Sequence, residues 1–241
     1  MPRLLVLMTH PVGAAVVDWP ADAIGGLVKV LRQVPCPASR VGGFFDARLE
    51  DLALFEAGRH AAEEGYDAVC TMTLDDGAAA ALRSVLDLPV LSAGRTTSLH
   101  ALTLADRFGW IVESRGHEAR LRTALRQWQL ADRCTGIRVA PSGQPHAVRA
   151  ALAACIEIDS AAAVCLGSPA LAAGTRHAWP EPVDVPLLDP LAVTACMAEA
   201  LLALNLSHSR TAAPRPLVPK PAVVQAMATA LAAHPHDAPA R

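Results

Sequence analysis

Two short phrases, Val69-Cys70-Thr71-Met72-Thr73 and Val164-Cys165-Leu166-Gly167-Ser168, each end an apolar run on a hydroxyl, with a cysteine three positions earlier. Cys70 and Cys165 stand 95 positions apart, and so do Thr73 and Ser168. Each phrase leads through a helix-like stretch into a second apolar run, Leu88-Pro89-Val90-Leu91 and Val185-Pro186-Leu187-Leu188. A cleft between two such similar halves would present matched groups to opposite faces of one small molecule. A neutral Ser or Thr hydroxyl cannot remove a carbon-bound proton without an adjacent base. It can donate a hydrogen bond to a carboxylate or enolate oxygen. Thr71, Thr73 and Ser168 are therefore candidate substrate-binding groups. Proton transfer would fall to His10, after the first apolar run, or to Asp75, given enough burial to raise its pKa. The competing roles are loop packing for His10 and a helix start for Asp75 and Asp76. Arg95 is either a bidentate partner for a substrate carboxylate or a surface arginine.

These groups need strands and helices to hold them. The run Leu4 to Met8 reads as a buried strand. Asp22 to Gln33 shows helical spacing of Ile24, Leu27, Val28 and Leu31, and Leu49 to Glu64 reads as a second helix, closed by Gly65. Ala68 to Met72 is a strand, Gly77 to Leu86 an alanine-rich helix, and Pro89 to Ser92 a strand. Thr96 or Thr97 would cap a helix from Ser98 to Arg107. Beyond it come a strand at Trp110 to Val112 and an amphipathic helix at Glu118 to Leu130 bearing Leu121, Leu125 and Trp128. A strand follows at Ile137 to Val139 and a helix at His146 to Ile156. Strands at Val164 to Leu166 and Val185 to Leu188 and a helix at Leu191 to Leu204 end the second half. His177 and Gly174 read as loop. Alternating strands and helices imply parallel sheets, whose ligands sit at the strands' carboxyl ends. That rule gathers His10, Thr73, Asp75, Ser92, Glu113, Ser142, Ser168 and Asp189. Cys70 and Cys165, an odd number of positions earlier, point to the opposite faces, toward helices.

The fold class that results is α/β, with two pseudo-symmetric Rossmann-like lobes, parallel sheets and an interlobe cleft. The division expected is 1–107 plus 191–206 for the first lobe, 108–190 for the second, and a Pro-rich extension at 207–241, where Val223 to Ala233 is a short helix. Hydrophobic residues make up 52% and charged residues 18%, enough for a proper core. A net charge of −2, scattered basic residues and 4% aromatics argue against a nucleic-acid partner. Six cysteines lack C-x-x-C or zinc-type Cys-His spacing, so free thiols in a reducing cytoplasm and no metal are expected. No apolar run suits a signal peptide or a membrane span. Gly25-Gly26 and Gly42-Gly43 lack the G-x-G-x-x-G spacing of a nucleotide loop. Apolar helices are compatible with a homo-oligomer.

Five phrases in order resemble the aspartate/glutamate/hydantoin racemase superfamily, hydantoin racemases above all: "DAVCTMTLDDG" at 67–77, "LPVLSAG" at 88–94, "LADRFGWIVES" at 104–114, "AAVCLGS" at 162–168 and "VPLLDP" at 185–190. The resemblance spans about residues 3 to 206. It implies a cofactor-independent racemase or lyase acting on a small carboxylate or a cyclic imide such as a hydantoin. It also implies one cysteine at each of two strand ends, one acting as base and the other as acid. Thr73 and Ser168 occupy those places here. The resemblance extends to arylmalonate decarboxylases, in which hydroxyls form an oxyanion site, a role that suits Thr71 and Thr73. The expectation is an enzyme of this superfamily acting at an acidic carbon or adjacent carbonyl without the two-thiol mechanism. The alternative is a non-catalytic small-molecule sensor or accessory protein on the same fold.

Overall fold

The computed structural model describes residues 1–9, 26–36, 42–178 and 183–233. Its buried centre is β1 (Arg3–Met8), a run that is apolar on both faces and needs cover on both. β1 pairs in parallel with β2 (Val28–Gln33) and β3 (Ala68–Thr71), and β3 with β4 (Val90–Ser92), in the order β2-β1-β3-β4. The second sheet repeats the plan. β5 (Phe108–Val112) lies between β6 (Cys134–Val139) and β7 (Val164–Leu166), and β7 carries β8 (Leu187–Leu188). Equivalent order explains the constant spacing of the two phrases, because β3 and β7 are the same strand of two similar sheets.

Helices cover both faces of both sheets. α1 (Phe44–Gly58) and α2 (Gly77–Val85) bring Leu54 and Leu82 against Leu5, Leu7 and Val69. Each fully buried leucine contributes about 1.5–3 kcal/mol relative to exposure. α3 (Ala93–Leu104) and α4 (Arg115–Gln127) lie on one face of the second sheet, where Ala101, Leu121 and Leu125 meet Trp110, Val112 and Cys165. α5 (Pro145–Glu157) and α6 (Pro169–Ala178) cover its other face through Val148, Leu152 and Leu171. α7 (Pro190–Ala203) returns to the first sheet, setting Leu191, Ala195 and Ala198 against Leu4, Val6 and Cys70. Thus α3 follows the first sheet in sequence but packs on the second, and α7 does the reverse. This exchange ties the halves together.

Several elements differ from the sequence expectation. Asp22 to Gln33 was expected to be helical, yet Val28–Gln33 is β2. Its pairing with β1, and cover of Val30 and Leu31 from opposite faces, outweigh a short helical pattern. α3 starts at Ala93, so Thr96 and Thr97 are buried helical residues, not caps; Ser92 holds the cap position. The segment with Gly174 and His177 is helical, within α6. The Pro-rich extension is strapped to the first half. Ser207 Oγ donates to Asp87 O at 2.7 Å, Arg210 donates to Arg83 O at 2.8 Å, and Arg210 and Arg215 both pair with Asp87. α8 (Pro221–Ala233) then packs on α1. No helix among the described residues is long and apolar enough to cross a membrane.

The start of α3 lies hard against the loop after β3. Gly94 N donates to Thr73 O at 2.9 Å, and a Cβ at Gly94 would lie 2.2 Å from Leu74 O, a backbone atom that cannot swing away. Gly94→Ala is expected to cost at least about 1–3 kcal/mol as overpacking, measured by urea denaturation.

Candidate active site

Thr71 ends β3, and Thr73 follows two residues on. Their hydroxyls are 3.1 Å apart, both side chains are buried, and Thr73 Oγ1 donates to Asp75 O at 2.9 Å. A hydroxyl has one hydrogen. Thr73 spends its own on Asp75 O, so Thr71 must be the donor within the pair.

In the second half, Ser168 follows β7 and precedes α6. Its Oγ accepts from Leu171 N at 3.1 Å and donates to Glu113 Oε1 in a short hydrogen bond. Glu113 directly follows β5, the strand beside β7. Gly167 makes this approach possible: its N–H donates to Ile111 O at 2.8 Å, and a Cβ there would lie 2.9 Å from the same oxygen. The pair sits at the N-terminus of α6, where the helix dipole favours negative charge.

Between the halves lies a buried ionic cluster. Arg120, on α4, is 4% exposed. Its Nη2 donates to Glu50 Oε2 at 2.8 Å, and its Nε to Asp75 Oδ2 at 3.2 Å. Glu50 also accepts from Thr9 Oγ1 at 2.7 Å, at the end of β1. Burial alone would lower the Arg120 pKa, but the Glu50 and Asp75 carboxylates outweigh it and hold the guanidinium above the ordinary arginine value. Asp51 lies alongside, accepting from Ala78 N at 2.8 Å and facing Arg48 at 3.0 Å. Burial, then the neighbouring Asp75 charge, push the Asp51 carboxyl up to about 6.

Asp75, expected as a proton-transfer group, is thus ion-paired with Arg120. Arg95 pairs with Asp76 at 2.9 Å and lines a separate cavity of about 610 Å³, whose walls include Arg83, Leu201, His208 and Pro214. Among the described residues, no hydrogen bond joins Arg95 to Thr71, Thr73 or Ser168. Burial would raise the Asp76 pKa, but Arg83, Ser92 and Arg95 together bring it below the usual value. His10 lies outside the described residues. Both phrase cysteines face helices. Cys70 is enclosed with Ala195 and Ala198, and burial pushes its thiol up to about 12. Cys165 lies 3.9 Å from Thr97 O on α3, and burial holds its thiol well above the ordinary value. Among the described residues, no cluster of three His, Cys, Asp or Glu could hold a metal ion.

Sequence reasoning placed Glu113 at a strand end without seeing its bond to Ser168. Glu50 and Asp51 fall in the segment read as the second helix and Arg120 in the amphipathic one, and nothing in their spacing announces that they meet.

Two four-stranded parallel sheets of one order, with hydroxyls after equivalent strands, define a two-half α/β protein with a site at strand ends. The chain belongs to the Asp/Glu/hydantoin racemase family, whose profile matches residues 26–198. It is similar to the allantoin racemase of Klebsiella pneumoniae (21% identity, TM-score 0.77, 91% of this chain and 95% of that chain). It is similar also to the allantoin racemase of Pseudomonas fluorescens (22%, TM-score 0.78, 90% and 98%). An arylmalonate decarboxylase is more distant (16%, TM-score 0.52, 84% and 92%). At these identities the structural likeness is one of fold. No curated protein sequence matches the chain.

Two outcomes follow from the protonation states. Asp51 binds its proton more tightly in the folded protein, at about 6, than a free aspartate does at 3.8. Its contribution to stability is present below the unfolded pKa and is lost as pH rises through about 6, a swing of about 3 kcal/mol. Asp51→Asn should remove that fall between pH 4 and 6 in denaturant titrations. In thiol titration of the folded protein, exposed Cys196 should react first, while Cys70 and Cys165 stay inert until unfolding.

Proposed function

We propose that this protein is a cofactor-independent carbon-acid enzyme of the racemase family, acting on a small carboxylate or a cyclic imide of the hydantoin type. The observation that carries the reading is the Ser168–Glu113 hydrogen bond at the strand ends of the second half. Glu113 removes the proton from the acidic carbon, directly or through Ser168. The bonding pair moves onto the adjacent carbonyl, and the resulting enolate oxygen is met by the hydroxyls of Thr71 and Thr73 as these turn away from each other and from Asp75 O. Return of a proton to the carbon, from Glu113 on the same face or from a first-half group such as His10 on the other, completes racemisation; in a decarboxylation the bond to the departing carbon dioxide supplies the enolate pair instead, no carbon-bound proton is removed, and a protonated Glu113 delivers the one proton that the carbon takes up. Asp75, committed to Arg120, holds the loop that carries Thr73. His10 is the first-half proton-transfer candidate by sequence position, and Arg95 stands apart on Asp76.

One observation favours a second reading, a ligand sensor that keeps the fold without turnover. Thr73 spends its only hydrogen on Asp75 O, and Thr71 spends its own on Thr73, so neither is free for an oxyanion unless a rotamer turns.

Proton NMR in deuterated water separates the two. Allantoin, other hydantoins, aspartate, glutamate and an arylmalonate are incubated with the protein. Enzyme action shows as loss of an α-proton signal, or as deuterium in a decarboxylated product. Glu113→Gln should slow that exchange by about 10²–10⁴-fold, the usual contribution of a general base. Ser168→Ala should slow it less. An unchanged rate in Glu113→Gln removes Glu113 from the mechanism. Absence of exchange across the panel, with a ligand-induced rise in Tm, selects the sensor.

A further inference from the structure

We infer that Arg120 is the positioning residue that sets the two halves of the site against each other. The inference rests on the reading of Glu113, Ser168 and Thr73 as the site, and it concerns a residue that never meets the substrate. A single guanidinium on α4 reaches across to the other half and is hydrogen-bonded to two carboxylates there, Glu50 at 2.8 Å and Asp75 at 3.2 Å. Each carboxylate controls a strand end. Glu50 accepts from Thr9, which follows β1, and the carbonyl of Asp75 accepts from Thr73, which follows β3. At the N-terminus of the same helix, Ser114 accepts from His117 N at 3.1 Å and caps α4, directly after Glu113. Arg120 and Glu113 are therefore joined by less than two turns of one capped helix, with Ser168 bonded to Glu113. A shift of α4 relative to α1 would displace Glu113 relative to Thr73.

The planar fork matters. Nε and Nη2 engage two different carboxylates at once, and an ammonium presents a single point of charge to one of them. Arg115 and Arg122 of the same helix, by contrast, both pair with Glu118 within α4. Arg138 and Asp159 provide a comparison, an ion pair at 2.7 Å that stays within the second half.

The test compares the full chain with Arg120→Lys, with Glu50→Gln, and with Arg138→Lys as control. Two readouts are taken: kcat and KM for the substrate found by deuterium exchange, and backbone hydrogen exchange of the folded protein by mass spectrometry. A positioning role lowers kcat of Arg120→Lys by about 10- to 100-fold with KM nearly unchanged, the usual size of a small misplacement of reacting groups. It also speeds backbone exchange at residues 165–172, which Arg120 does not touch, as well as at 72–79. A purely local ion pair would loosen 44–58, 72–79 and 115–127 and leave 165–172 and kcat as in the parent; that outcome overturns the inference. Glu50→Gln keeps the bonding groups but removes one charge, and it should move both readouts the same way by less. It decides the matter if Arg120→Lys does not fold. Should no substrate turn over, the proposed reaction fails while the exchange pattern at 165–172 still decides for or against Arg120.

Discussion

A buried guanidinium between two packed halves is the constraint to which much of the site answers. Removing an ion from water costs several kcal/mol even after relaxation, and only close, well-directed counter-charges offset it. Arg120 obtains them from Glu50 and Asp75, so those carboxylates cannot drift without leaving a bare charge in the interior. The consequences spread outward. Three carboxylates, Glu50, Asp51 and Asp75, share this region with Arg120 and Arg48, and Arg48 is largely exposed. Negative charge is therefore in slight excess, and Asp51 takes up the imbalance by holding its proton toward neutral pH. Gly77 permits this crowding, because a Cβ there would lie 2.3 Å from the Asp51 carboxylate.

The two halves share a plan but have diverged in what they place at the strand ends. In the first half the hydroxyls close on one another and on a backbone carbonyl, a local turn with no charge of its own. In the second half the hydroxyl is held between a carboxylate and the opening amides of α6, so it accepts from one side and donates to the other. Glycine sets both approaches. Gly94 lets α3 press on the loop after β3, and Gly167 lets the end of β7 press on β5. A shared architecture thus carries a pair of hydroxyls at one strand end and a hydroxyl–carboxylate pair at the other.

Much of the fold was legible because its signals are local. Apolar runs of strand length, alternating with helical spacing and repeated at a fixed interval, specify parallel sheets of matching order. The odd interval between Cys70 and Thr73 was enough to turn the thiols toward helices, since side chains alternate along a strand. Where the reading failed, a tertiary contact decided. Val28–Gln33 carries a helical pattern but completes a sheet beside β1, and α3 begins one turn early because Gly94 docks on Thr73 O. The ion cluster was illegible for a different reason. Glu50, Asp75 and Arg120 are separated by 25 and 45 positions, and nothing in one sequence marks which of 44 charged side chains will meet in the interior. Asp75 drew attention for its place beside Thr73, but its partner could be found only in three dimensions.

The exchange of thiol for carboxylate in the proposed reaction also narrows the substrate. A carboxylic acid is about four pKa units more acidic than a thiol, so its conjugate base is the weaker proton acceptor, by about 6 kcal/mol of driving force. A site that uses glutamate in place of thiolate must recover that difference. That difference has to come from the carbon acid. An α-carbon flanked by an imide carbonyl and nitrogen, or by two carboxyl-derived groups, gives up its proton more readily than that of a free amino acid, whose carboxylate opposes further negative charge. The reaction proposed for Glu113 and Ser168 therefore fits a cyclic imide or an activated malonate better than aspartate or glutamate. The neutral hydroxyls of the first half fit the same choice, because an enolate formed on such a ring needs hydrogen-bond donors rather than a counter-ion.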